Sequence, residues 1–467
     1  MRRGHPAAAL LALALALPAC AGPRPPLPAG AALAVPDHWR SGEAPQASAP
    51  IAAQWWQALG DPALDALVEE GLAASPDLLA ATARIEVARA QFRLAGAPGR
   101  VAVSADGGGA TSRTINAFGQ GLDQTQANGE LVVSWEADLF GRIRAASDAG
   151  RAALAASVYA RDGVSVALAA TIVTGYVGLR SRDAQADIAK ATLAARDAEL
   201  AVIRRRAAAG YSARLELAQA ETAREATARL VSESELAVTR QENALSVLVG
   251  RAPGPIARGL PLGRMAGLAV PSALPGDLLR QRPDVREAEQ RIVAADRTLD
   301  SARAAFMPRL TLRGSLGAAA STALADPITL FSAGGSILAP IFQRGELRAN
   351  ADVAAGQRDI AAFAYRKTVL TGLQEVEDAQ AGLARYDEQA AISARQVASA
   401  QQAYDLARSR YREGYAAYLE QLDAQRTLLD AQLRAVTVAE ARLAALVALT
   451  RGLGGGWVAP ASVEPTR

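Results

Sequence analysis

Histidine and cysteine are almost missing from this chain. Two histidines, His5 and His38, and one cysteine, Cys20, occur in 467 residues. A thiol nucleophile, a histidine-based triad and a Cys/His zinc site therefore lack their parts once an N-terminal leader is removed. Serine–lysine or carboxylate chemistry stays open by composition, and no motif marks it. Aromatic residues make up only 4%, and alanine and leucine dominate the apolar content. Small side chains suit helices packed closely over long distances better than a thick globular core. Proline, which breaks helices, is absent between Pro98 and Pro253 and between Pro340 and Pro460, in a chain with 23 prolines. An excess of charge is missing too. Without Arg2 and Arg3 the chain has 48 basic against 47 acidic residues, so nothing global points to a nucleic-acid partner. A phosphate-binding GxxxxGK[ST] loop is absent, and no long apolar span is expected beyond the leader. The chain thus reads as neither an ATPase nor an inner-membrane protein.

Residues 1–19 have a short basic start, an apolar run from Ala7 to Leu17 and small residues before Cys20. This is a secretory signal peptide, too short to span a bilayer as a helix. Leu17-Pro18-Ala19-Cys20 is similar to a bacterial lipobox, in which Cys20 becomes the lipidated first residue. The alternative is an ordinary signal peptide cut nearby, leaving a free thiol. Ala21 follows where an aspartate would favour retention in the inner membrane. Similarity to sorted lipoproteins therefore points to the outer membrane. Residues 20–50, rich in Pro, Ala and Gly, read as a lipidated, flexible tether.

One pattern occurs twice. Arg206, Gly210, Tyr211, Ala213, Leu215, Glu216 and Ala220 align with Arg410, Gly414, Tyr415, Ala417, Leu419, Glu420 and Ala424, all at an offset of 204. Each copy reads as a helix, a tight turn at a glycine able to take φ > 0, and a second helix. Arg282-Pro283-Asp284 likewise echoes Ser75-Pro76-Asp77. The chain therefore reads as a first repeat over 51–250, a linker over 251–276, a second repeat over 277–452 and a tail over 453–467.

Within each repeat the period changes. Asp61-Pro62 predicts a helix start, and Ser75-Pro76-Asp77 restarts a helix to about Leu94. Leu131, Val133, Trp135, Ala137 and Leu139 then alternate with polar residues, Val132 apart, as do Leu310, Leu312 and Leu316. Residues 100–106 and 335–342 are weaker strand candidates. The spacing predicts amphipathic strands of about ten residues. They are either ordinary surface hairpins or transmembrane strands, apolar to lipid and polar to a lumen. A long helix follows each second strand. Gly141–Arg206 would extend about 100 Å, and Arg344–Arg410 matches it. In the returning helices Val231, Val238 and Leu245, and Leu422, Leu429, Val436 and Leu443, fall seven apart, which is coiled-coil spacing. A cytosolic coiled-coil scaffold fits this spacing but not the signal peptide and the strands. Four strands are too few to close a membrane barrel, and open edges are not tolerated in lipid, so several chains must build it.

Taken together, WWQALGDPALDALVEEGL, the SPDLLAATARI and RPDVREAEQRI segments, SWEADLFGRIR, the tip motifs and the closing ALTRGLGGGW resemble one family. It is the TolC/OprM-like, nodulation-protein-T type class of outer-membrane efflux lipoproteins, and the match covers nearly all of residues 50–458. The resemblance implies a mainly helical fold with a β-barrel part. Duplicated antiparallel coiled-coil hairpins would form a trimeric α-barrel. Four strands per chain would form a 12-stranded transmembrane β-barrel. It further implies a homotrimer anchored in outer-membrane lipid by a covalent lipid on Cys20, with no cofactor and no enzyme activity. A periplasmic adaptor and an inner-membrane pump would complete a tripartite efflux system for drugs, toxic organics or metal ions. The exit duct of a protein secretion system is the alternative. By position, Glu420 and Asp423 match an acidic pair at the periplasmic gate. Tyr411 matches a tyrosine that ties the inner hairpin to its neighbour, and Glu216 an acidic partner in the first copy. Gly210, Tyr211, Gly414 and Tyr415 mark the adaptor-contact tips. Ala416 stands where some members have an arginine of the closing network.

Overall fold

The computed structural model of the chain describes residues 23–40, 51–115, 117–265 and 273–459. The signal peptide, Cys20, residues 41–50 and the end of the tail lie outside them. In chain order the main elements are α1 (Pro62–Ala74), α2 (Pro76–Gly96), β1 (Ala102–Ile115), β2 (Gly121–Ala137), α3 (Arg142–Ala208) and α4 (Arg214–Leu248). After the linker come α5 (Leu278–Gln281), α6 (Pro283–Ala304), β3 (Arg309–Ser321), β4 (Ile328–Leu338), α7 (Arg344–Arg412) and α8 (Tyr418–Gly452). The long helices α3 and α7 have 67 and 69 residues, and the returning helices α4 and α8 have 35 each.

The chain forms two compact units, and each draws on both repeats. The first takes its described residues from Met1–Leu33, Ala83–Val158 and Glu287–Lys367. The second takes them from Ala34–Thr82, Tyr159–Arg286 and Thr368–Arg467.

The first unit contains one antiparallel sheet in the order β1-β2-β3-β4. Its register sorts the side chains onto two faces. Val103 pairs with Val133, Leu131 with Leu316, Trp135 with Leu312, and Leu316 with Phe331. Because side chains alternate along a strand, Ala105, Leu131, Leu316 and Phe331 share one face, and Asp106, Glu130, Arg313 and Ser332 lie on the other. Val132, which breaks the alternation in sequence, pairs with Ser104 and Ser315 on the polar face. Leu131, Leu316 and Phe331 are exposed.

The strand bounds correct the sequence-based expectation. All four strands exceed ten residues, β1 runs on to Ile115, and β4 begins at Ile328 rather than 335. The added length is Gly-, Ser- and Thr-rich (Gly107, Gly108, Gly109 and Gly129, for example). Such residues carry little alternation; backbone pairing extends the ladder, with side-chain bonds such as Thr111–Thr125 and Gln124–Ser321 across it.

Residues 23–31 also belong to the first unit, and here the flexible tether is corrected. Arg358, 2% exposed, donates to the carbonyls of Pro25 and Pro26 at 2.7 and 2.8 Å. Arg366 holds the Gly30 carbonyl, and Arg24 pairs with Asp296 at 2.5 Å. This stretch is an anchored strap.

The second unit has the main apolar core. Leu64 and Val68 of α1, Ile172, Val173 and Val177 of α3, and Leu446 and Leu449 of α8 meet there. Asp61 organises its entry. One carboxylate oxygen caps α1 through the amides of Ala63 (2.9 Å) and Leu64 (3.3 Å). The other accepts from the Tyr176 hydroxyl (3.1 Å) and the Leu260 amide (2.8 Å). The linker is therefore packed at this point, with Ile256 and Leu262 buried. A Cβ at Gly259 would overlap the Asp61 carboxylate, which is why glycine stands there. One further expectation is corrected. Helix α3 is long and apolar enough to cross a membrane by length and composition. Half of its apolar window is buried, and residues such as Ile172 and Val177 serve as core.

Candidate functional site

Both tips close in the same way. Gly210 and Gly414 have φ of 79° and 83°, the left-handed region glycine enters freely. The Tyr211 amide donates to Arg206 O and the Tyr415 amide to Arg410 O, each at 2.8 Å. The Gly210 amide reaches Ala207 O and the Gly414 amide Tyr411 O, each at 3.1 Å. This pair of bonds satisfies carbonyls that would be orphaned at a helix end. The turn then presents Tyr211 (86% exposed) and Tyr415 (76% exposed), with Leu215 and Leu419 also exposed one turn on.

Just behind the tips, the two hairpins of the second unit are joined by side chains. The Tyr411 hydroxyl on α7 donates to Glu216 Oε1 on α4. The Tyr411 ring stacks tilted on Tyr418 at 5.6 Å, and the Arg206 guanidinium lies over its face at 5.6 Å. Burial, then the Glu216 hydrogen bond, pushes the Tyr411 hydroxyl well above the usual tyrosine range. Burial and the Glu199 charge push Tyr418 up to about 12. Two sequence-marked residues, Tyr411 and Glu216, are thus brought together within a single chain.

Glu420 and Asp423 are exposed on the first two turns of α8. Glu420 pairs with Arg410 of α7 at 3.2 Å. Asp423 makes no side-chain hydrogen bond or ion pair among the described residues. An exposed pair such as Glu420–Arg410 contributes about 0–1 kcal/mol. Neither carboxylate bonds to the Tyr411–Glu216 pair. Ala416 contributes no cation, and Arg206 and Arg410 supply the guanidinium groups of this network instead.

Sequence reasoning missed a buried polar layer deeper in the same hairpins. Arg196 of α3, 6% exposed, donates to Gln425 Oε1 at 3.2 Å, to Ala223 O and to Thr227 Oγ1. One turn on, Glu199 Oε1 accepts from the Tyr404 hydroxyl (3.1 Å) and Gln421 Nε2 (2.6 Å). A small apolar cluster of Leu200, Ile203, Ala220, Ala223, Tyr418 and Leu422 lies alongside. The signal available in sequence was faint: one acid and one arginine, three residues apart, in an alanine-rich helix. Among the described residues no group of three His, Cys, Asp or Glu side chains could hold a metal.

The sequence profile of the outer membrane efflux protein family matches residues 67–251 and 274–455, one stretch in each repeat. The chain belongs to the outer membrane efflux protein family. It is 34% identical over 437 residues to the probable efflux pump outer membrane protein TtgC of Pseudomonas putida, covering 90% of each chain. It is 33% identical over 459 residues to the pyoverdine export outer membrane protein OpmQ of Pseudomonas aeruginosa, covering 96% of each. Among solved structures, the outer-membrane channel OprN superposes with a TM-score of 0.83 at 28% identity, over 93% of this chain and 99% of that one. This efflux protein is therefore an outer-membrane channel and not an enzyme. Its mainly helical fold with a four-stranded sheet is the one expected from sequence.

Proposed function

We propose that three copies of this chain assemble into one tube that passively conducts small molecules from the periplasm to the exterior. Four strands from each copy would close a 12-stranded barrel. The observation that carries this reading is the sheet itself. One face carries Val103, Leu131, Val133, Trp135, Leu312, Leu316 and Phe331, the other carries most of the charged side chains, and β1 and β4 are the two edge strands. Unpaired backbone groups are not tolerated in lipid, so neighbouring copies must pair those edges.

In this reading the helical hairpins extend into the periplasm. The exposed Tyr211 and Tyr415 tips dock a periplasmic adaptor, and an inner-membrane pump supplies the energy. Glu420 and Asp423 from three copies form a ring of carboxylates at the mouth, and Tyr411–Glu216 holds the mouth closed. Small molecules are the substrate class because relatives such as OpmQ are named for their export. Cys20 bears the covalent lipid, which adds an anchor beside the barrel.

Native mass spectrometry of the detergent-solubilised protein tests the assembly. A complex of three mature chains is expected. A stable, membrane-inserted monomer would contradict it.

A further inference from the structure

Glu199 has an unbalanced set of hydrogen bonds. Two donors, from Tyr404 of α7 and Gln421 of α8, converge on its Oε1. Its other oxygen, Oε2, is sealed from solvent and has no partner. The amide oxygen of Gln421, itself 2% exposed, is likewise sealed and unpaired. Two buried acceptors thus lack a donor at the point where α3, α7 and α8 meet, and leaving such groups unsatisfied is costly. Both residues line a cleft of roughly 220 Å³ whose wall includes Val202, Ile203 and Tyr411. A proton on Glu199 removes the buried negative charge and supplies a missing donor.

We infer that Glu199 is a proton-dependent clamp holding the inner hairpin, α7 and α8, against α3, tight when the carboxyl is protonated and loose when it is ionised. The inference rests on the reading of the tips as the periplasmic mouth of a channel.

The charged and titratable groups around the clamp come from four helices. They are Arg196 and Arg206 on α3, Glu216 on α4, Tyr404, Arg408, Tyr411 and Arg412 on α7, and Tyr418 and Arg426 on α8. The arginines stay charged at any working pH. The three tyrosines stay neutral, because burial raises each of them. For Glu199, burial is the largest influence and raises its proton affinity. Its hydrogen bonds, Arg408 and Arg196 oppose this without overcoming it.

The direction follows from linkage. A carboxyl that binds its proton more tightly when packed than when exposed favours the packed state at low pH. That preference is lost as pH rises through its raised value. Acidification should therefore close the mouth. Each unit of difference between packed and exposed values changes the closed-to-open ratio about tenfold.

The test is resting conductance of the purified full-length protein in planar bilayers between pH 8 and pH 5. Wild type should lose conductance on acidification. Glu199→Gln, a permanently neutral amide donor, should already show the low-pH conductance at pH 8 and lose that part of the pH response. Difference infrared spectroscopy of the same pH titration provides a second readout. A protonated-carboxyl band should grow in wild type and be absent in Glu199→Gln, even if that variant conducts poorly. Unchanged pH profiles, or an unchanged carboxyl band, in Glu199→Gln would overturn the clamp and leave the channel reading intact. A wild-type protein that forms no conducting pore would instead overturn the channel reading.

Discussion

Just behind the tips, the Tyr411 hydroxyl makes one of the bonds that join the two hairpins of one chain. Its bond to the Glu216 carboxylate is of the charge-assisted kind, which contributes about 1.5–3 kcal/mol. Tyr411→Phe removes that bond and keeps the ring between Arg206 and Tyr418. The closed state should weaken by about tenfold or more, since 1.4 kcal/mol is a factor of ten. Resting conductance should rise while the melting temperature changes little. Glu420 and Asp423 predict a different outcome. Both are exposed, so replacing them with alanine should leave folding nearly unchanged. Like charges brought close in a narrow mouth would repel and so recruit cations. The double variant should therefore lose block by divalent cations in bilayer recordings. Wild-type block in that variant would put the cation site elsewhere.

Among the elements, the tip turns were the most legible and the strands the least. A glycine four residues after a helical arginine, twice at one offset, predicts a left-handed closing residue, and both glycines adopt it. Gly414→Ala forces a side chain into that region, at a cost of about 1–2 kcal/mol. Limited proteolysis should then cut the α7–α8 tip first. If the tip resists cleavage as well as wild type does, the turn is not held by that geometry. In the strands, Leu131, Val133 and Trp135 announced their face, but Gly107, Gly108 and Gly109 have no side chains to announce anything. The polar layer at Arg196 and Glu199 was hidden for another reason. In an alanine-rich helix of 67 residues the apolar stripe is weak, so which face turns inward is set by partners far along the chain. The strap is hard to read from sequence because most of its contacts are made by backbone carbonyls, Arg24–Asp296 apart. Arg358 and Arg366, on a distant helix, mark them. Arg358→Ala should free residues 23–31 to protease while sparing the core of the second unit. Equal protection in both proteins would mean that the strap is held by other contacts.

For the whole molecule, repetition and incompleteness decide the account. Two repeats give two matched tips, and one four-stranded sheet leaves two edges to be filled by other copies. Cys20 adds an expectation of its own: mass spectrometry of the mature N-terminus should find an acylated cysteine at that position. A mature chain starting at another residue would remove the lipid from the account. The central claim is that this protein is a passive duct whose helical mouth is kept shut by the Tyr411–Glu216 fastening. Single-channel recording of purified wild type beside Tyr411→Phe tests it most directly. A small resting conductance is expected in wild type and a clearly larger one in the variant. A wild-type channel that is already wide open, with a conductance Tyr411→Phe leaves unchanged, would contradict it.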